Sequence, residues 1–416
     1  MRIDNVIARS IPNTRGRQTV ETTLQAGAFR ASASVPSGKS TGEHEAFELD
    51  TTLAIENVNG EINTALAGRD FGSLDELDTF LIELDGTQNK SRLGANAILS
   101  VSIAAMRLSA LEQGVPLWKV IAERASGEEF LRVRQVQRSE TLSKTLLPSE
   151  HVSPRLYVNI MNGGAHADFR LPFQEYMLVI EGTTSMALPI AQKAFIKLGE
   201  ILRAGDGRVP IGDEGGYAPA FDTLERPFEI LAGLVKEFPN TCIAVDAAAS
   251  QLFHDGAYDI LDTSYSAEEL SRVYEELVAR FPIHSIEDPF DENAHDDFTR
   301  LTASLGEKIL IIGDDLTCTN PTRIADAAKN KEINAVLIKP NQIGTVREAI
   351  RAVQETHASG FKVIASHRSG ETDDSFIADF AYGVSAYGIK AGGLDQRERL
   401  EKYDRLLSIE REAEVV

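Results

Sequence analysis

The sequence predicts an α/β barrel of the TIM-like kind behind a smaller α+β domain. Three observations carry the prediction. Six short apolar runs in the second half each end on ionisable residues: Cys242-Ile-Ala-Val before Asp246, Ile283-His-Ser-Ile before Glu287 and Asp288, Ile309-Leu-Ile-Ile-Gly before Asp314 and Asp315, Ala335-Val-Leu-Ile before Lys339, Lys362-Val-Ile-Ala-Ser before His367 and Arg368, and Tyr387-Gly-Ile before Lys390. Runs this short, rich in Val and Ile and followed by helical patterns, read as buried parallel strands. From Leu156 onward strand and helix patterns alternate to the end, with helices over residues 224–237, 267–280, 321–329 and 345–357. Finally, 416 residues suffice for a barrel plus a second, smaller domain.

Taken in order, the N-terminal part shows strand-like alternation in Thr19-Val-Glu-Thr-Thr-Leu and Phe29-Arg-Ala-Ser-Ala-Ser-Val, followed by the turn residues Pro36-Ser-Gly-Lys-Ser-Thr-Gly42. The Ala-rich stretch Ala95–Gln113 is helical in pattern. Strands and helices without strict alternation give an α+β domain over residues 1–127. A polar segment, 128–154, reads as an insertion or linker, and residues 155–416 form the barrel. No uninterrupted apolar stretch approaches the ~18–20 residues of a membrane helix. The start lacks the apolar core of a secretory signal. Two cysteines, Cys242 and Cys318, without metal-type spacing argue against a disulfide framework or zinc site. A cytoplasmic protein is expected. The formal charge of −21 disfavours nonspecific binding to nucleic acid or an anionic membrane. It leaves room for a small anionic ligand held through local cations and divalent metal.

In a (β/α)₈ barrel the C-terminal strand ends meet on one face, so these acids and lysines should surround one pocket. Asp246, Glu287 and Asp314 are the candidate ligands of a hard divalent ion, since several carboxylates at one point need a cation. Any one of them alone would read equally well as a capping or salt-bridging group. Lys339, ending an apolar strand among other cations, is expected to have a lowered pKa suited to a base. Glu214, in Gly212-Asp-Glu-Gly-Gly216, is a candidate general acid if shielded enough to stay protonated, and Glu175, after Gln174 at the end of another apolar approach, offers a second carboxylate to share that proton. Arg368 and Ser369 form an anion cradle beside His367. His166, on the glycine-rich Asn162-Gly-Gly-Ala-His-Ala, sits on a loop able to close over a ligand. Ser37-Gly-Lys-Ser-Thr41 imitates the end of a phosphate-binding P-loop. It fails because Ala33 stands where the first glycine is needed and no suitable helix follows.

Together, Gly212-Asp-Glu-Gly-Gly216, Ser285-Ile-Glu-Asp-Pro-Phe290, Gly313-Asp-Asp-Leu, Lys339-Pro-Asn-Gln-Ile-Gly344 and Ser366-His-Arg-Ser-Gly-Glu371 resemble, in that order, the enolase family. Pro36-Ser-Gly-Lys-Ser-Thr-Gly42, Leu84-Asp-Gly-Thr-Gln-Asn-Lys90 and Gly94-Ala-Asn-Ala-Ile-Leu-Ser100 extend the resemblance over nearly the whole chain. It implies an enolase-type barrel and reversible dehydration of 2-phosphoglycerate to phosphoenolpyruvate with two Mg²⁺ ions per site. It also implies Lys339 as the base at C2 and Lys390 as added positive charge. Glu214 assisted by Glu175 would be the acid, and Arg368, Ser369 and His166 would lie around the phosphate. Gln174 and His367 would be supporting site residues, and Ser40 would serve the second ion. A homodimer or larger assembly is implied as well. Departures include Lys39 in place of a small residue, Asn13 in place of an Asp, Pro340 after the base, and a shorter stretch after Asp50. Ser408 replaces an arginine that pairs across the dimer with the position of Glu21, and Arg405 is near enough to substitute. The alternative is a paralogue acting on a related phospho- or phosphono-hydroxy acid. A non-catalytic scaffold with the same fold would have lost a catalytic residue, and none is missing.

Overall fold

The structure, a computed structural model, describes residues 1–39, 42–126 and 153–414. Ser40 and nearly all of the polar segment 128–154 therefore lie outside the described residues. The N-terminal strands form an antiparallel sheet: β1 (Asn5–Pro12), β2 (Gln18–Ala26) and β3 (Phe29–Ser34). In β2 the alternation buries Val20, Thr22, Leu24 and Ala26. The helix Ala95–Gln113 lies on this sheet, and its small residues allow close approach, with Thr22 Oγ1 and Ser100 Oγ 2.6 Å apart. By length and composition this helix could cross a membrane, yet 78% of its apolar window is buried inside the protein, which makes it a core helix.

Strand β1 was not expected from the sequence. It is the edge of the sheet, and side chains rather than another strand satisfy its outer backbone. Asn63 Oδ1 accepts from the Val6 N–H at 2.9 Å, while Asn59 accepts from the Ala8 N–H at 2.7 Å and donates to the Ala8 carbonyl at 3.0 Å. Both asparagines sit where the helical segment widens to a π-turn at Val58–Ile62 or just after it.

The second domain is a closed eight-stranded barrel in the order β4 (Arg155–Asn162), β5 (Glu175–Ile180), β6 (Thr241–Asp246), β10 (Ile283–Glu287), β11 (Leu310–Gly313), β12 (Ala335–Ile338), β13 (Lys362–Ser366) and β14 (Gly388–Gly392). A small antiparallel ribbon, β7 (Phe253–His254), β8 (Ala257–Ile260) and β9 (Thr263–Tyr265), follows β6. All six runs read from the sequence are barrel strands. The strict strand–helix alternation expected from Leu156 is broken, however, because β5 runs antiparallel to both β4 and β6. The link between β4 and β5, residues 163–174, holds one 3₁₀ turn, Gly164–Ala167, and no α-helix to carry a parallel crossover. Glu175 consequently begins a strand rather than ending one. The reversal brings it to the same barrel mouth as the ends of the other strands.

The outer helices fall close to their expected places, at Arg226–Glu237, Ala267–Arg280, Pro321–Asn330 and Val346–Ala358. Their starts carry local signals: a Ser266/Glu269 capping box, Asn320 before Pro321, and Thr345 accepting from the Glu348 N–H. The C-terminal helix Arg397–Glu414 holds Ser408, whose hydroxyl donates to the Asp404 carbonyl. Arg405, expected as its substitute, is engaged within the chain by Asp379 at 2.6 Å and Glu412 at 2.5 Å, and Glu21 by Arg9.

Candidate active site

Side chains alternate along a barrel strand, so a residue two positions beyond an inward-facing one also faces inward, one layer higher. Tyr157, Met177, Val179, Ala244, Ile312, Ala335, Leu337 and Ile364 form one buried cluster of their own, which fills the lower barrel. Two residues further towards the mouth come Asn159, Asp246, Asp314, Lys339 and Ser366, and on reversed β5, Glu175. Glu287 and Lys390 follow the small inward residues Ser285 and Gly388 by the same step. Strand periodicity thus lifts the polar groups into a layer above an apolar floor. An open cavity lies over them, lined by Asp246, Asp314, Lys339, Lys390, Glu175 and Glu214.

The metal-type acids stand on adjacent strands, Asp246 and Glu287 being register partners. The Lys390 ammonium lies between carboxylates, 2.9 Å from Asp246, 2.8 Å from Glu287 and 3.0 Å from Glu175. Asp314 pairs with Lys339 and accepts from Gln342 Nε2 at 2.9 Å. Burial and the Asp246 charge push the Glu287 carboxyl up to about 8, with Lys390 opposing. Two lysines therefore do not neutralise these acids, and an all-oxygen donor set with surplus negative charge suits a hard cation such as Mg²⁺. Among the described residues, the groups whose ligand atoms lie within 4.8 Å of one another differ from the expected triad: His166, Glu175 and Glu214, and Asp288, Asp314 and Asp315. Asp288, though, spends both oxygens on the Asp314 and Asp315 N–H groups, each at 2.9 Å. It shapes the loop, and Asp314 and Asp315 beyond it both line the cavity.

Lys339 departs from expectation in its charge state. Burial lowers its pKa, but Asp314 and Glu287 outweigh that, and the ammonium is held above its ordinary value. Pro340 after it is accounted for: it opens the short helix Pro340–Ile343, where a missing N–H costs nothing.

Across the mouth, Asn159 Nδ2 donates to Glu175 at 3.0 Å and to Glu214 at 3.1 Å, tying the two buried carboxyls together. Glu214 faces His367 Nε2 at 3.5 Å and His166 Nδ1 at 3.6 Å. Burial raises Glu175 far above the carboxylate range, and the Glu214 charge adds to this. Glu214 is held low despite its burial, by the two imidazoles and by Arg399. Burial pushes His367 itself down to about 4 and lowers His166. Of the two carboxyls, burial favours the protonated form at Glu175, whereas the sequence led to the proton being expected on Glu214.

At the anion corner Arg368 grips Glu45 through two bonds, 2.9 and 3.1 Å, and donates to Asn341 at 3.2 Å. The Ser369 hydroxyl is buried without a hydrogen-bond partner, as is His166 Nδ1. Orphaned polar atoms lining a cavity point to a ligand that satisfies them. Gln174 donates to Asp246 at 3.2 Å. The structure brings together every expected site residue except Ser40, which lies outside the described residues.

Other contributors were missed. Asn159 was legible as the next inward position after Tyr157. Glu45 and Arg399 carried no local signal. Arg399, fully buried on the C-terminal helix, donates to the carbonyls of Ser369 at 2.9 Å, Asp213 at 3.1 Å and Arg368 at 3.2 Å, and reaches His367 Nδ1.

The family model described as Enolase, C-terminal TIM barrel domain, matches residues 150–415, and that described as Enolase, N-terminal domain, matches residues 3–121. Between them they span both domains and every candidate site residue. The chain therefore belongs to the enolase family and, with it, to the magnesium-dependent dehydratase-type lyases.

Proposed function

We propose that the protein interconverts 2-phosphoglycerate and phosphoenolpyruvate. The observation that carries this reading is the placement of Lys339, just after β12, and of Glu175, at the start of β5, with Glu214 on the turn beside it, around one cavity, with the acid cluster and Arg368 beside them. Asp246, Glu287 and Asp314 would hold Mg²⁺, with Ser40 serving a second ion. When bound, the metal would supply positive charge for the substrate carboxylate as charge develops there, and a cation on Asp314 would weaken that carboxylate's hold on the Lys339 ammonium, lowering its pKa. Lys339 takes the C2 proton. Lys390 holds Asp246, Glu287 and Glu175 in place and adds charge to the same corner. An anionic substrate raises the proton affinity of Glu214, so the proton of the carboxyl pair becomes available to the departing hydroxide. Arg368, Ser369 and His166 bind the phosphate, Gln174 steadies Asp246, and His367 orients Glu214. Two cysteines without a disulfide, Cys242 and Cys318, support a cytoplasmic setting. The homo-oligomer belongs to the same proposal, without the ion pair through Arg405.

The test is formation of phosphoenolpyruvate from 2-phosphoglycerate with ample Mg²⁺, followed at its ultraviolet absorbance. Turnover is expected, and none would sink the reading in favour of a related phospho- or phosphono-hydroxy acid. Lys339→Ala should abolish exchange of the C2 proton with solvent while leaving Mg²⁺ binding intact.

A further inference from the structure

Lys39 is the charged residue least expected in this chain, and its contacts are specific. Its ammonium donates to Asp213 Oδ2 at 2.6 Å and to the Ala165 carbonyl at 2.5 Å. Asp213 immediately precedes Glu214, and Ala165 immediately precedes His166. The two loops are also joined directly, the Asp213 N–H donating to the His166 carbonyl at 3.1 Å. Two residues before Lys39, Ser37 exchanges backbone bonds with Gly370, at 3.0 and 2.9 Å, and accepts from Asn13 Nδ2 at 2.9 Å. Gly370 follows Ser369. A segment of three residues therefore spans the cavity from the anion corner to the acid corner, fixed at both ends.

The loop that Lys39 holds needs holding. Asp168 and Phe169 adopt the left-handed conformation in succession, at φ 51° and 54°, and the Phe169 side chain is largely exposed. Neighbouring contacts must sustain such backbone strain. Arg15 also approaches Asp213, at 4.0 Å, but within ion-pair reach only. Arg399 and Gln396 bind the Asp213 carbonyl, each at 3.1 Å, and Lys39 supplies the hydrogen bond to its carboxylate.

We propose that Lys39 is a positioning residue: its ammonium joins the Asp213 and Ala165 loops, and so sets Glu214 and His166 against the substrate together. This deepens the functional reading above and rests on it for its kinetic part alone. A direct substrate contact would act differently, because losing uniform binding raises KM and leaves kcat intact. Misplacing the acid lowers kcat.

The experiment compares the full-length protein with Lys39→Met, Asp213→Asn, the double variant and Lys39→Arg. Amide hydrogen exchange without substrate comes first. Faster exchange is expected in Lys39→Met at Phe169, bonded to the Gly164 carbonyl, and at Asp213, by about fivefold or more, with the barrel strands unchanged. With 2-phosphoglycerate, kcat should fall about tenfold, the scale of one charge-assisted hydrogen bond. The double variant should be no worse than the poorer single variant, and Lys39→Arg should recover most of the loss. Unchanged exchange at both loops, additive single effects, or a raised KM with normal kcat would each overturn the proposal. A wild-type protein inactive on 2-phosphoglycerate would sink the functional reading but leave the exchange result to decide whether Lys39 joins the loops.

Discussion

At the scale of single residues, the site shows how far a side chain's chemistry depends on what it meets in space. His367 was legible as a site residue, but its charge state was not. The imidazole is buried and its pKa is pushed from 6.5 down to about 4. The folded protein thus holds it neutral over a range where the unfolded chain protonates it. The contribution to stability is fully present above pH 6.5 and is lost as pH falls towards 4. Urea unfolding of the wild type across that window should show a loss of up to roughly 3 kcal/mol assignable to this group. In His367→Gln that part of the slope should disappear, and an unchanged slope would contradict the buried neutral imidazole. Asn159 offers a second case, since it carries no charge and was not singled out. Asn159→Ala removes the donor shared by Glu175 and Glu214, leaving two carboxyls facing each other in a buried site. We expect kcat to drop by about 10–100-fold, with the acidic limb of the pH–rate profile displaced, because the pair shares its proton differently. A profile that keeps its shape would mean that Asn159 only packs.

At the scale of elements, local signals worked where local physics decides. The capping box at Ser266 and the Asn320-Pro321 start mark helices whatever surrounds them. The Ala95–Gln113 helix has the bounds read from its pattern. Strand direction is another matter. Nothing in Glu175-Tyr-Met-Leu-Val-Ile says which way it runs, because all six residues are buried and the alternation of side chains is the same in either sense. The missing helix before it is the legible clue, and the glycines of residues 163–164 obscured it by reading as a mobile loop. Gly163 is in fact packed, a Cβ there meeting the Phe173 carbonyl at 2.2 Å. Gly388 on β14 has the same kind of role inside the barrel, where a Cβ would lie 2.5 Å from the Tyr157 ring. Gly388→Ala should therefore destabilise by about 1–3 kcal/mol through overpacking of the barrel floor, read as a lower urea midpoint at constant m. No loss would show that Tyr157 has room to move.

At the scale of the whole molecule, the acid cluster ties stability to metal. A divalent cation that binds the folded site and not the unfolded chain adds about 2.7 kcal/mol at a hundredfold excess over its Kd. The melting midpoint should rise by several degrees with Mg²⁺, fall back with EDTA, and lose this response in Asp246→Asn. A midpoint indifferent to Mg²⁺ in the wild type would remove the metal from the reading. The sequence by itself determined the two-domain α/β barrel class, and the strand ends on which Asp246, Glu287, Asp314, Lys339, Arg368 and Lys390 stand. Both follow from periodicities of two and 3.6 residues, which are properties of neighbours along the chain. Tertiary structure alone decided the reversal of β5, the grip of Glu45 on Arg368, the Asp314 partner of Lys339, the contrasting surroundings of Glu175 and Glu214, and the reach of Lys39 to Asp213. Each of these is a contact between residues far apart in sequence, 323 positions for Glu45 and Arg368 and 174 for Lys39 and Asp213. Charge state and strand direction are set by what lies nearby in space, and only the folded chain specifies that.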